Sequence, residues 1–155
     1  MAFELSVCCG QTVPGNLREL WPALLIPHGI DCEIYPDFSP EGWSGGFLPF
    51  KVISIPAELI DAALLSPAIS GFEVYIEGQH IFFRSAMGRT ATEFALLCLC
   101  AAELAIHTDG EYHDPQAGET YHGDAVRDAA LSEIKDALEY EGIVSRTQYP
   151  FEGWD

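Results

Sequence analysis

The run from Ala91 to His107, ATEFALLCLCAAELAIH, most constrains what this chain can fold into. Between Phe94 and Ile106 only Glu103 is charged. Thr90 and Glu93 stand three residues apart, the spacing of a capping box, which predicts a helix beginning at Ala91. A helix apolar nearly all round belongs inside a domain, covered on several sides. At about 1.5 Å per residue it would be roughly 25 Å long, about the width of a small domain. A bilayer needs about 20 apolar residues, and Glu103 interrupts this run before that length. The expectation is a central core helix.

The flanking sequence predicts what wraps it. Phe3 to Cys9 suits a strand. Asn16 opens a helix over Leu17 to Ile26, which Pro22 should kink or restrict to two short pieces, and Gly29 closes the unit. Ile30 to Tyr35 alternates apolar and polar, the mark of a half-buried strand. The loop PDFSPEGWSGGFLP carries Phe38, Trp43 and Phe47, so it either folds back onto the core or presents a contact surface. Phe47 to Ile55 suits another strand, and Pro49 places its start at a sheet edge or bulge. After Pro56 a short helix is expected over Ala57 to Leu65. Phe72 to Glu77 and His80 to Ser85 form a hairpin about Gly78-Gln79, with glycine first as a type II′ turn requires. Phe72, Val74 and Ile76 then share one face, and Glu73, Tyr75 and Glu77 the other.

Thr108 to Gly123 suits a polar loop. Asp124 caps an amphipathic helix, Ala125 to Glu141, with Gly142 after it. Its inner residues are Val126, Ala130, Leu131, Ile134 and Leu138. The aromatic close, RTQYPFEGWD, is expected to pack over the core. Hairpins rather than regular βαβ units point to a single α+β domain over residues 1–155. It should hold a mainly antiparallel sheet, the long buried central helix on one face and the amphipathic C-terminal helix.

Charge narrows the function. Seven basic and 24 acidic residues give a net −17, while 48% hydrophobic content excludes a disordered acidic tail. Such a surface repels nucleic acid and anionic membranes and attracts basic partners. Solubility or adaptation to high salt is the plainer explanation. The acidity thickens along the chain: residues 1–100 carry 11 acidic and four basic side chains, residues 101–155 carry 13 and three. Five cysteines without regular spacing suit reduced, mostly buried thiols of a cytoplasmic protein. MAFELSVCCG has no basic n-region and holds Glu4 within its apolar run, unlike a signal peptide.

Catalytic patterns are absent. His107, Asp109, Glu111, His113, Asp114, Glu119 and His122 are metal-type ligands, but their spacing matches no standard signature. Glu103 and His107, four apart on one helix face, suit an ion pair at the helix end. No Gly-x-Ser-x-Gly occurs, and Cys98 and Cys100 lie in apolar sequence that raises a thiol pKa. Gly45-Gly46 is followed by no helix and no phosphate-binding lysine. Arg84 and Arg89 suit internal ion pairs. We therefore expect no enzyme, no cofactor and no bound metal.

Two segments, GRTATEFALLCLCAAELA and HDPQAGETY, resemble small acidic bacterial immunity proteins of polymorphic or type VI secreted toxin systems. In these an alanine-rich helix leads into a DPQ-x-G loop. The resemblance implies a cytoplasmic protein that binds a basic cognate toxin and occludes its active site. It also implies a structural turn, capped by Asp114, fixed by Pro115 and closed by Gly118. The expected interface draws on Asp109, Glu111, Asp114 and Glu119, with Trp43 and Phe47 as a second candidate. Two alternatives stand beside it. One is a DNA-mimic anti-restriction protein, which needs carboxylates in two rows at phosphate-like spacing. The other is a metal-dependent hydrolase using His107, His113 and His122 with Asp109 or Glu111.

Overall fold

The computed structural model describes residues 2–59, 69–86 and 90–139. In chain order the elements are β1 (Ala2–Cys8), α1 (Leu17–Leu25), β2 (Asp31–Ile34), β3 (Gly46–Ser54), β4 (Ile69–Glu77), β5 (His80–Ala86), α2 (Ala91–His107), β6 (Glu111–Asp114), β7 (Glu119–His122) and α3 (Ala125–Glu139). The strands make one antiparallel sheet in the order β2-β3-β4-β5-β1-β6-β7. With three helices this is the expected α+β architecture.

The central helix forms where its capping spacing predicts. The Glu93 amide donates to Thr90 Oγ1 (3.1 Å), and the Thr90 amide donates back to Glu93 Oε1 (3.5 Å). Fourteen of the 17 residues of α2 are buried, because sheet, α1 and α3 surround it. Phe94 meets Phe3 of β1, with ring centroids 4.7 Å apart. From α1, Trp21 enters the same layer. Its indole N–H donates to the Cys100 carbonyl (3.0 Å), and its ring packs on Phe38, Phe72 and Phe83. Each such buried aromatic contributes on the order of 2–3 kcal/mol of apolar transfer.

From β6, the Tyr112 hydroxyl donates to Glu133 of α3 (3.3 Å). That contact places α3 on the same side as α2. Val126, Ala130 and Ile134 of α3 are buried, whereas Leu131, expected inside, faces outward at 43% exposure. All three helices thus cover one face of the sheet.

One local expectation holds and two are corrected. Pro49 stands at a local edge, as expected: it pairs with Gly71 on one side, while β2 reaches only as far as Phe50 on the other. Its carbonyl accepts from the Tyr35 amide (3.1 Å), so its missing N–H faces the same side, just past the end of β2. Proline cannot return the bond to the Tyr35 carbonyl, and β2 ends at Ile34, just before that pair. α1 runs through Pro22 as one helix rather than two short pieces, and a 3₁₀ turn over Ile26–His28 ends that unit at left-handed Gly29 (φ 79°). Thr108 to Gly123 is no loop, because β6 and β7 form a hairpin within it.

The hairpin β4–β5 turns at Gly78 with φ 60° while Gln79 keeps a negative φ, as the type II′ reading requires. Residues 57–59 form a 3₁₀ turn. The rest of the Ala57–Leu65 helix, Arg89, the end of the last helix with Gly142, and the aromatic close lie outside the described residues.

Candidate functional site

The junction between α2 and β6 positions the predicted acidic cluster. Helix α2 ends in a Schellman arrangement: the Gly110 amide donates to the Ala105 carbonyl (2.7 Å) and the Asp109 amide to that of Ile106 (3.2 Å). Asp109 takes the left-handed position, with φ 51°, the one non-glycine of positive φ among the described residues. The chain then passes β1 very closely. A Cβ on Gly110 would stand 2.2 Å from the Cys8 carbonyl oxygen, and one on Gly10 would stand 2.4 Å from those of Asp109 and Thr108. Two glycines therefore let β6 join the edge of β1, pairing Ser6, Val7 and Cys8 with His113, Tyr112 and Glu111.

Alternation on β6 and β7 then sorts the predicted residues. Glu111 is exposed, and Asp109, with its side chain 83% exposed, pairs with His122 Nε2 at 3.0 Å. Glu119 is also exposed. Asp114 is not part of this surface, since it is 4% exposed and turned inward. Its Oδ1 accepts from the Gln116 amide (3.0 Å), the Ala117 amide (3.3 Å) and the Gln116 side chain (2.6 Å), while Gly118 takes φ 67°. This is the capped turn that the DPQ-x-G resemblance implies. Burial raises the Asp114 carboxyl. Hydrogen bonds from Glu133, the Gln116 side chain and the Ala117 and Gln116 amides outweigh that and hold it below its ordinary value.

The second candidate pair divides: Trp43 packs half-buried against the core, while Phe47 stands on the outward face of β3, paired with Glu73. Trp43 donates its indole N–H to the Val74 carbonyl (3.0 Å) and meets Phe38 edge-on at 5.2 Å. The loop folds back because Phe38 and Trp43 pack against the core. Phe47 is half-buried and lies over Gly71, its Cζ 3.0 Å from where a Cβ would stand.

Comparison with protein-family models, curated proteins and solved structures returned no match. The chemistry of the site rests on its own geometry.

The face of the sheet that none of the described helices covers carries Phe47 and, beside it, functional residues that sequence reasoning missed. Strand register lays them out in three rows. Glu73, Arg84 and Glu4 form one row, and Tyr75, Phe82, Ser6 and His113 the next. Glu77, His80, Cys8, Glu111 and His122 form the third. Arg84 is held within its row, its Nη1 2.8 Å from Glu73 Oε2 and its Nε 3.6 Å from Glu4 Oε1. Tyr75 and Phe82 are exposed by 40% and 39% at the centre. The available signal was an aromatic at alternate positions on the outward, polar side of each hairpin strand.

The metal alternative loses its basis. His107 is exposed at the end of α2, and His113 and His122 fall in different rows of the sheet. Among the described residues no three His, Cys, Asp or Glu side chains converge to hold a metal. Glu103 does not pair with His107. It accepts from Arg127 through both oxygens (2.8 and 2.9 Å) and approaches His28 Nε2 at 3.3 Å, tying α1, α2 and α3 together. Cys98 and Cys100 are buried, and burial pushes both thiols well up, so neither presents a nucleophile.

Proposed function

We propose that the protein is a cytoplasmic immunity protein that neutralises a basic cognate toxin by covering its active site with an acidic surface. The observation that carries this is Asp109. It adopts a left-handed backbone that glycine prefers, and it sets a carboxylate at the negative end of the α2 dipole. Both features oppose folding by a few tenths to about 1 kcal/mol each. Its ion pair with His122 is solvent-exposed and returns little, so an acid at this position, 83% exposed, supports a role outside the fold. Glu111 extends the same surface, whereas Glu119, paired with Asp114, is exposed on the other face of the sheet.

Internal pairing does not neutralise it. Arg18, Arg84 and Arg127 each close on carboxylates of the chain itself, leaving the excess acid outward. Exposed carboxylates steer a basic partner and raise its association rate. No helix among the described residues is long and apolar enough to cross a membrane. The test is copurification with the product of the adjacent gene, followed by gel filtration at low and high salt. A stable complex, weakened by Asp109→Lys with Glu111→Lys and by salt, is expected. Separate elution of the two proteins at low salt would end this reading.

A further inference from the structure

The face of the sheet that none of the described helices covers is the surface with the most specific chemistry. Tyr75 and Phe82 are a direct cross-strand pair at its centre. They belong to a groove of about 330 Å³ whose lining includes Glu4, Ser6, Arg84 and His113. Both rings are held. The Tyr75 hydroxyl donates to Glu73 Oε1 (2.8 Å), and its ring lies against Gly45. Phe82 stacks on His80, with planes 16° apart. Rings fixed in advance lose little freedom when a partner covers them.

The surrounding charge selects that partner. Glu4 and Glu73 flank the aromatic row on one side, Glu77 and Glu111 on the other, against the single guanidinium of Arg84. Arg84 is already held by two carboxylates, so it offers little to an anion. A lysine or arginine side chain gains both from the ring faces and from the carboxylates beside them. A second copy of the chain is disfavoured, because two molecules of charge −17 repel. The row that contains Glu111 ends at His122, which pairs with Asp109, so this face runs continuously into the acidic α2–β6 junction.

We propose that this face is the docking surface for the basic partner, with a lysine- or arginine-bearing segment lying along Tyr75, Phe82, Ser6 and His113. The proposal rests on the immunity reading for the identity of the partner, but not for the chemistry of the surface. The experiment is an NMR titration of the whole isotope-labelled protein with an oligo-arginine peptide. The shifts should gather on outward residues of β1, β4, β5 and β6.

Tyr75→Ala with Phe82→Ala should weaken binding about tenfold. Ser6→Lys leaves both rings in place and should weaken it about fivefold, which keeps the test valid if the double variant unfolds. Shifts gathered on the helical side, or wild-type affinity for Ser6→Lys, would overturn the proposal. So would a concentration-dependent dimer that Phe82→Ala abolishes.

Copurification separates the two readings. A toxin complex lost with Asp109→Lys but kept with Ser6→Lys refutes the sheet face and retains the immunity reading. Oligo-arginine bound along the row, with no complex with the adjacent gene product, supports the face and refutes the immunity reading.

Discussion

Replacing Glu133 by Gln should remove a pH dependence built into the fold. Glu133 projects from α3 against β6 and α2. The Tyr112 hydroxyl and the Cys98 thiol both donate to its Oε2, at 3.3 and 3.9 Å. Burial first, and then the hydrogen bond and charge of Asp114, push its carboxyl from 4.5 up to about 8. A carboxyl raised by folding holds its proton more tightly in the folded state. Its contribution is therefore complete below about 4.5 and is lost as pH rises through 8.

The span sets a ceiling of about 5 kcal/mol, at about 1.4 kcal/mol for each tenfold change. Solvent reaches the half-buried carboxyl, so about 2–3 kcal/mol is the working figure. For a chain of this size that is roughly 5–10 °C of melting temperature between about pH 5 and pH 8.5. Gln keeps a donor for Asp114 and binds no proton. Thermal melts at constant ionic strength should show the two proteins alike near pH 5 and the variant more stable above pH 8. Asp114, held low, matters only at more acidic pH, below this window. Parallel curves for wild type and Glu133→Gln across the range would refute the reasoning.

Two further changes test the frame and the site. Arg127→Ala leaves the buried Glu103 carboxylate with His28 alone; a loss of about 2–3 kcal/mol in chemical denaturation is expected, partly recovered by adding Glu103→Gln. Asp109→Gly should act in opposite directions on folding and binding. It relieves the left-handed backbone and the adverse helix-end charge, raising stability by about 0.5–1 kcal/mol, while it weakens the complex with the basic partner. A variant that melts lower, or binds as tightly as wild type, would remove Asp109 from the argument.

Legibility followed the strength of the local signal. The central helix was visible to the residue because its cap and its apolar length act within the helix itself. The β4–β5 hairpin was equally plain, since a glycine turn and clean alternation need no distant partner. The β6–β7 hairpin was hidden. Its four-residue strands, EYHD and ETYH, are polar and stand only because β1 offers an open edge and Gly10 and Gly110 permit the approach. Pro49 was legible as an edge position, because proline cannot donate to a ladder, but where β2 stops was not. In the site, Asp109, Glu111 and Glu119 emerged exposed, but Asp114 turned inward because β6 alternates. Trp43 was claimed by the core.

Composition and periodicity by themselves determined the α+β class, the buried central helix, the acid excess and the absence of a standard catalytic motif. These are sums or local patterns, and one stretch of chain suffices to produce each. Only tertiary structure decided which acids face outward and which is capped inside. It alone set Tyr75 and Phe82 beside Ser6 and His113, four residues from four strands, between two acidic rows. Register across a sheet depends on pairings between residues distant in sequence, so no window of the chain contains it.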